Sequence, residues 1–93
     1  LIPVLGNYLK VVDTIPEYYF KRGYANIIIG DTINALRDFN SCIYLDNNNA
    51  DAFYYRSIAR NSLFDKEGAC EDLKKAENLG RIVGEGLKEE FCE

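Results

Sequence analysis

Displaced by 34 residues, this sequence falls on itself. Tyr19-Phe20-Lys21-Arg22-Gly23 lands on Phe53-Tyr54-Tyr55-Arg56-Ser57, Ala25 on Ala59, Asp31 on Asp65, Ala35 on Ala69, Asp38-Phe39 on Asp72-Leu73 and Leu45 on Leu79. A period of this length is one supersecondary unit, a helical hairpin that cannot bury its apolar face alone, so successive copies must stack. An all-α array of antiparallel hairpins is the expected architecture. Arrays of this kind bind proteins or peptides more often than they catalyse reactions.

The period also sets the element boundaries. Residues 16 to 29 suit a helix, with Pro16 tolerated in the first turn, Glu17 at the positive end of the dipole and Gly30 closing the helix in a left-handed conformation. Asp31 caps a second helix running to about Leu45, with Ala35, Leu36, Phe39, Cys42 and Ile43 inward at helical spacing. Asp46-Asn47-Asn48-Asn49 is a loop; the Gly and terminal Glu of a calcium loop are missing. Ala50 to Leu63 forms a third helix, and Asp65 caps a fourth that reaches Leu79 and ends at Gly80, with Ala69, Cys70, Leu73, Ala76 and Leu79 inward. Short connections make neighbouring helices antiparallel.

The two ends complete one domain of 93 residues. Residues 1–15 align with the second helix of the hairpin and are expected to be a truncated preceding repeat; 16–49 and 50–80 are the two full copies. Residues 81–93 carry Ile82, Val83, Leu87 and Phe91 at helical spacing and are expected to form a helix covering the open end of the stack. Gly84 and Gly86 weaken that helix by about 1 kcal/mol each relative to alanine.

These hairpins resemble tetratricopeptide repeats. The first copy presents Tyr19, Arg22-Gly23, Asn26 and Ala35-x3-Phe39, and the second presents Phe53, Arg56-Ser57, Arg60 and Ala69-x3-Leu73. Gly23, Ser57, Ala35 and Ala69 are the small residues that let paired helices approach. The sequence departs from the family pattern where Arg replaces the Leu before the Gly in both copies, where the later Tyr is lost, where the loop Pro is absent (Asn47 and Arg81 occupy its place) and where Phe64 replaces Gly30. The segment Gly68 to Ala76 with Leu79-Gly80 and Cys92 is similar to the closing segment of bacterial repeat proteins. The resemblance implies a non-catalytic scaffold that binds a protein or peptide. Alternatives are a structural cap or self-association module of a longer array, or an accessory domain of an enzyme encoded elsewhere in the full chain.

In that family the first helix of each hairpin lines a concave groove. The resemblance therefore implies ligand contacts at Glu17, Phe20, Lys21, Tyr24, Ile27 and Ile28 in the first copy, and at Asp51, Tyr54, Tyr55, Ile58 and Asn61 in the second. Tyrosine offers contact area at low entropic cost, and Lys21 offers a charge for an acidic group. The competing reading is that Tyr24, Tyr54 and Ile58 pack against neighbouring helices. The Lys and Asn clamp that binds a terminal carboxylate in one subclass is not supported, since Phe20, Tyr24 and Tyr55 hold its positions.

Composition excludes several alternatives. The net charge of −4, from 15 acidic and 11 basic side chains, provides no basic stripe for nucleic acid. The longest wholly aliphatic run of this kind, Ile27-Ile28-Ile29, is too short to insert in a membrane. There is no histidine, no paired CxxC and no glycine-rich phosphate loop, so neither metal, cofactor nor catalysis is expected. The absence of methionine and of a signal peptide leads us to expect a piece of a longer protein. Glu71-Asp72 and Glu89-Glu90 read as solvated faces, with Lys74 and Lys75 forming weak surface pairs with the first of these.

Cys42 occupies a small inward position. Cys70 and Cys92 lie about equally far from the turn at Gly80 and face each other if the last helix folds back, so they are either a disulfide or two thiols in apolar contact. A disulfide points to the periplasm, and reduced thiols leave the cytoplasm open. Self-association into a homo-oligomer is compatible with either.

Overall fold

A computed structural model describes residues 14–92, and the expectation for 1–13 lies outside them. Five helices follow one another: α1 (Pro16–Ile29), α2 (Thr32–Leu45), α3 (Ala50–Ser62), α4 (Lys66–Asn78) and α5 (Glu85–Cys92). No strand occurs among the described residues. α1 pairs with α2, α3 with α4, α2 stacks on α3, and α5 closes against α4.

Local chemistry fixes the ends. Pro16 opens α1 and Gly30, at φ 84°, ends it by donating its N–H to the carbonyls of Asn26 and Ile27. Asp31 accepts from Asn34, Asn49 accepts from the Ala52 N–H at 3.1 Å, and Asp65 accepts from the Gly68 N–H at 2.9 Å, so each of the next three helices starts on a side-chain cap. The loop between hairpins is an Asx turn, in which Asp46 accepts from the Asn48 N–H at 3.1 Å.

Small residues set the distance between paired helices. A Cβ added to Gly23 would stand 2.9 Å from Cε1 of Phe39, closer than carbon atoms pack. Ala35, Phe39 and Cys42 from α2, Ala52, Ser57 and Ala59 from α3, and Ala69 and Ala76 from α4 are completely buried. Ser57, in the place of Gly23, satisfies its hydroxyl by donating to the Tyr54 carbonyl at 2.5 Å.

Two buried carboxylates also hold the hairpins, and the expectation of a solvated Asp72 is wrong. Asp38 and Asp72 are only 4% and 3% exposed. Arg22 donates to both oxygens of Asp38, and Asn26 adds a further bond at 2.9 Å. Arg56 donates to both oxygens of Asp72, and Arg60 lies 3.1 Å from it. The surface lysines are not the partners of Asp72. The positions where the sequence leaves the tetratricopeptide pattern (Arg for Leu, Asn or Arg for Tyr) thus serve one polar network repeated in both copies. The hydrogen bond that Arg22 donates to Asp38 raises its guanidinium above the usual value.

The C-terminal helix is shorter than its apolar spacing suggests. Arg81 to Gly84 are not helical, and α5 begins only at Glu85. Gly80 leaves α4 at φ 103°, and the Arg81 N–H is taken by the Ala76 carbonyl at 3.0 Å, which ends the previous helix instead of starting a new one. Ile82, expected inside, is exposed, whereas Val83 and Phe91 are buried with Ala69 and Leu73. Lys88 pairs with Glu77, and Cys70 and Cys92 meet in disulfide geometry with Cα atoms 4.9 Å apart.

Candidate functional site

The first helices of both hairpins share one face, and a chain of aromatic rings crosses it. Phe20 lies 6.0 Å from Phe39 and 5.9 Å from Tyr55, centroid to centroid. Tyr55 meets Tyr24 edge-on at 5.1 Å and Tyr54 edge-on at 5.1 Å. Tyr55 also stacks nearly parallel to Phe39, so a side chain of α3 is built into the first hairpin. Such rings contribute both buried area and oriented contacts. The run starts in the core at Phe39 and surfaces at Tyr24, which is 41% exposed, with Ile28 one turn further on 67% exposed.

The expected contact residues therefore divide. Phe20, Tyr24, Tyr54, Tyr55 and Asp51 belong to one connected surface. Tyr54 and Ile58 are half-buried and pack against Ala69, Leu73, Val83 and Phe91, so in the second copy the packing reading holds. In the first copy Tyr24 and Ile28 are open. Lys21, expected to meet an external acidic group, meets Glu17 one turn away at 2.9 Å, with both side chains largely exposed. Ile27 is half-buried, and the Asn61 carbonyl serves the turn that ends α3, where it accepts the Phe64 N–H at 3.0 Å.

One residue of this surface escaped sequence reasoning. Arg81 lays its guanidinium 3.8 Å from the centroid of Tyr54 and 5.5 Å from that of Tyr55. Its Nη1 donates to Asp51, while its buried Nε has no partner. Burial lowers the affinity of this guanidinium for its proton, but the bond to Asp51 and the charges around it outweigh that and leave it raised. The only sequence signal was Arg81 standing where the pattern has a proline. Among the described residues no group of three His, Cys, Asp or Glu side chains is placed to hold a metal, and no helix is long and apolar enough to cross a membrane.

No family model matches the sequence, and no curated protein matches it. Two solved structures do resemble it in shape. A crystal structure of MamA superposes with a TM-score of 0.72 at 24% identity, covering 86% of this chain and 54% of that one. A second, of the MamA protein, gives 0.73 at 24% identity over 86% of this chain and 50% of that one.

The fold is a short tetratricopeptide-like solenoid.

At this identity the likeness concerns the fold alone, and the chain spans about half the length of those structures. The solenoid explains why the aromatic residues fall on one face: equivalent positions of stacked hairpins repeat along the stack, so α1 and α3 offer adjacent strips of a single surface.

Proposed function

We propose that this chain is a non-catalytic protein-binding module that takes an extended peptide segment along the α1 and α3 face. The observation that carries this reading is the continuous run from Phe39 through Phe20 and Tyr55 to an exposed Tyr24. Rings anchored at one end in the core are rigid, so a partner packing on Tyr24 loses little side-chain entropy from the protein. Ile28 extends the apolar strip, and Glu17 with Lys21 forms its polar rim. The resemblance to MamA, a protein containing tetratricopeptide repeats, supports a scaffold role.

Peptide selection from a random extended library, followed by calorimetry on the selected sequences, tests the proposal. Binding should be lost in Tyr24→Ala while the circular dichroism spectrum is retained. Selected peptides that bind Tyr24→Ala as tightly as the parent protein would place the contact elsewhere. Light scattering over a range of concentrations addresses the self-association alternative: a stable dimer that Tyr24→Ala dissociates would make this face an interface between copies.

A further inference from the structure

Arg81 contacts the second hairpin as a bound side chain contacts a receptor. It belongs to the non-helical link between α4 and α5, yet its guanidinium spreads over Tyr54, borders Tyr55 and donates to the Asp51 carboxylate. A π face, a second ring beside it and a carboxylate are what a planar guanidinium requires. Two features go beyond ordinary packing. The buried Nε has no acceptor, so the internal arginine fills the site without satisfying all of its own donors. The rings under Arg81 also continue through Tyr55 to the exposed Tyr24, so a segment lying on the open strip meets Arg81 next.

Building on the groove reading above, we propose that Asp51, Tyr54 and Tyr55 form a receptor for an arginine side chain of a basic partner segment, and that Arg81 is an internal occupant which the partner displaces. The charges agree: the chain carries −4, and Asp51, near the start of α3, is the carboxylate at this site, whereas Glu17 in the first copy is already paired with Lys21. Lysine is a poorer ligand, because a compact ammonium neither stacks on a ring nor forms the planar fork. Being tethered, Arg81 competes at an effective concentration of about millimolar or more, so a lone arginine binds the parent protein weakly. A partner gains the advantage through added contacts on Tyr24 and Ile28.

The test is a titration of the chain with N-acetylargininamide, followed by NMR at the Tyr54 and Tyr55 rings. Arg81→Ala should bind this probe at least about tenfold more tightly than the parent, in keeping with removal of a tethered competitor. N-acetyllysinamide should not bind, and adding Asp51→Asn should abolish the gain. A folded Arg81→Ala protein whose rings ignore the arginine probe, or respond equally to the lysine one, overturns the proposal. Arg81→Gln, which keeps part of the aliphatic stem, is read in the same way if the alanine variant does not fold. Failure of both to fold makes Arg81 a structural clamp and also overturns it. Should the library peptides still lose binding on Tyr24→Ala while the arginine probe finds no site, the groove reading stands and only the arginine receptor falls.

Discussion

Arg56 grips Asp72 with two hydrogen bonds, each 2.8 Å long, from opposite helices of the second hairpin. The same residue types at the same separation, Arg22 and Asp38, do so in the first hairpin. The copies differ in burial: the Arg56 side chain is 14% exposed and that of Arg22 is 50% exposed. Breaking a buried pair leaves a charge without compensation. Arg56→Leu is expected to cost up to about 3 kcal/mol in urea unfolding, since Arg60 still stands 3.1 Å from Asp72. Arg22 is the more exposed guanidinium, but its loss leaves the buried Asp38 with the Asn26 amide, so Arg22→Leu should cost a comparable amount. The double variant Arg56→Leu/Asp72→Leu should recover most of the loss, because well-packed apolar residues of similar volume replace such pairs at small cost. A double variant as unstable as the single one would mean that Arg60, the other cation at Asp72, depends on that carboxylate as well.

How far the sequence reveals this molecule depends on which signals are periodic. Helix boundaries were legible because Pro16, Gly30, Asp31 and Asp65 act through the backbone within a few residues of where they stand. Asp72 was misread because a charge beside Glu71 on a helix looks solvated, and its partner is 16 residues away on another helix. A signal was present: Arg22 with Asp38 and Arg56 with Asp72 recur in register, and a repeated departure from a family pattern marks a substitution that is compensated elsewhere. Arg81 lacked any such signal, since it occurs once and acts across 30 residues on Asp51. The candidate face came from the family resemblance; the exposure of Tyr24 and the covering of Tyr54 could not be read from it, because coverage depends on where the link before α5 runs.

Tyr24 and Tyr54 separate by experiment for the same reason. Tyr24 is 41% exposed and meets Tyr55 in a T-shaped contact, so Tyr24→Ala should lower stability by about 1 kcal/mol or less. Tyr54 supports Arg81 and packs on the cluster of Ala69, Leu73, Val83 and Phe91. Tyr54→Ala leaves a cavity there and should cost about 2–4 kcal/mol. Equal losses in thermal unfolding would contradict the division of this face into an open half and a covered half.

The tie between α4 and α5 predicts a redox-dependent stability. α5 has eight residues, too few to persist as a helix without tertiary contacts. A bond between Cys70 and Cys92 closes a segment of sequence separation 22, a loop whose closure is worth about 3 kcal/mol in the chain-entropy account. Cys92→Ser should lower stability by that order under oxidising conditions and change little in the presence of a dithiol reductant. Hydrogen exchange in 85–92 should quicken first. Non-reducing mass spectrometry that finds both thiols free in native protein would remove the basis of this prediction.

Cys42 titrates in a predictable direction. It is completely buried in α2, and burial pushes its thiol above the usual value, with Asp46 adding to the shift and the Asn49 amide opposing it. A thiol that is harder to ionise in the folded state than in the unfolded chain contributes stability that is fully present below the unfolded pKa and is lost as pH rises through the folded one. Unfolding free energy should thus begin to fall as pH passes about 8.5, and Cys42→Ala should flatten the slope between that point and the ionisation of tyrosine near 10. At pH 8, iodoacetamide should label Cys42 only in denaturant. Rapid labelling of native protein, or a slope unchanged in the alanine variant, would show that the site opens to solvent.

Phe64 offers the reverse case, a position expected to gain from substitution. It stands where the first copy has Gly30, adopts φ 67°, and exposes 94% of its surface. The left-handed conformation costs a residue with a Cβ about 1–2 kcal/mol, and a side chain this exposed recovers nothing by burial. Phe64→Gly removes the strain but gives the unfolded chain more freedom, an opposing term of about 0.4–1 kcal/mol. The net expectation is a gain of up to about 1.5 kcal/mol, read from the urea midpoint at unchanged slope. A loss of stability in the isolated chain would show that Phe64 makes contacts that its exposure conceals.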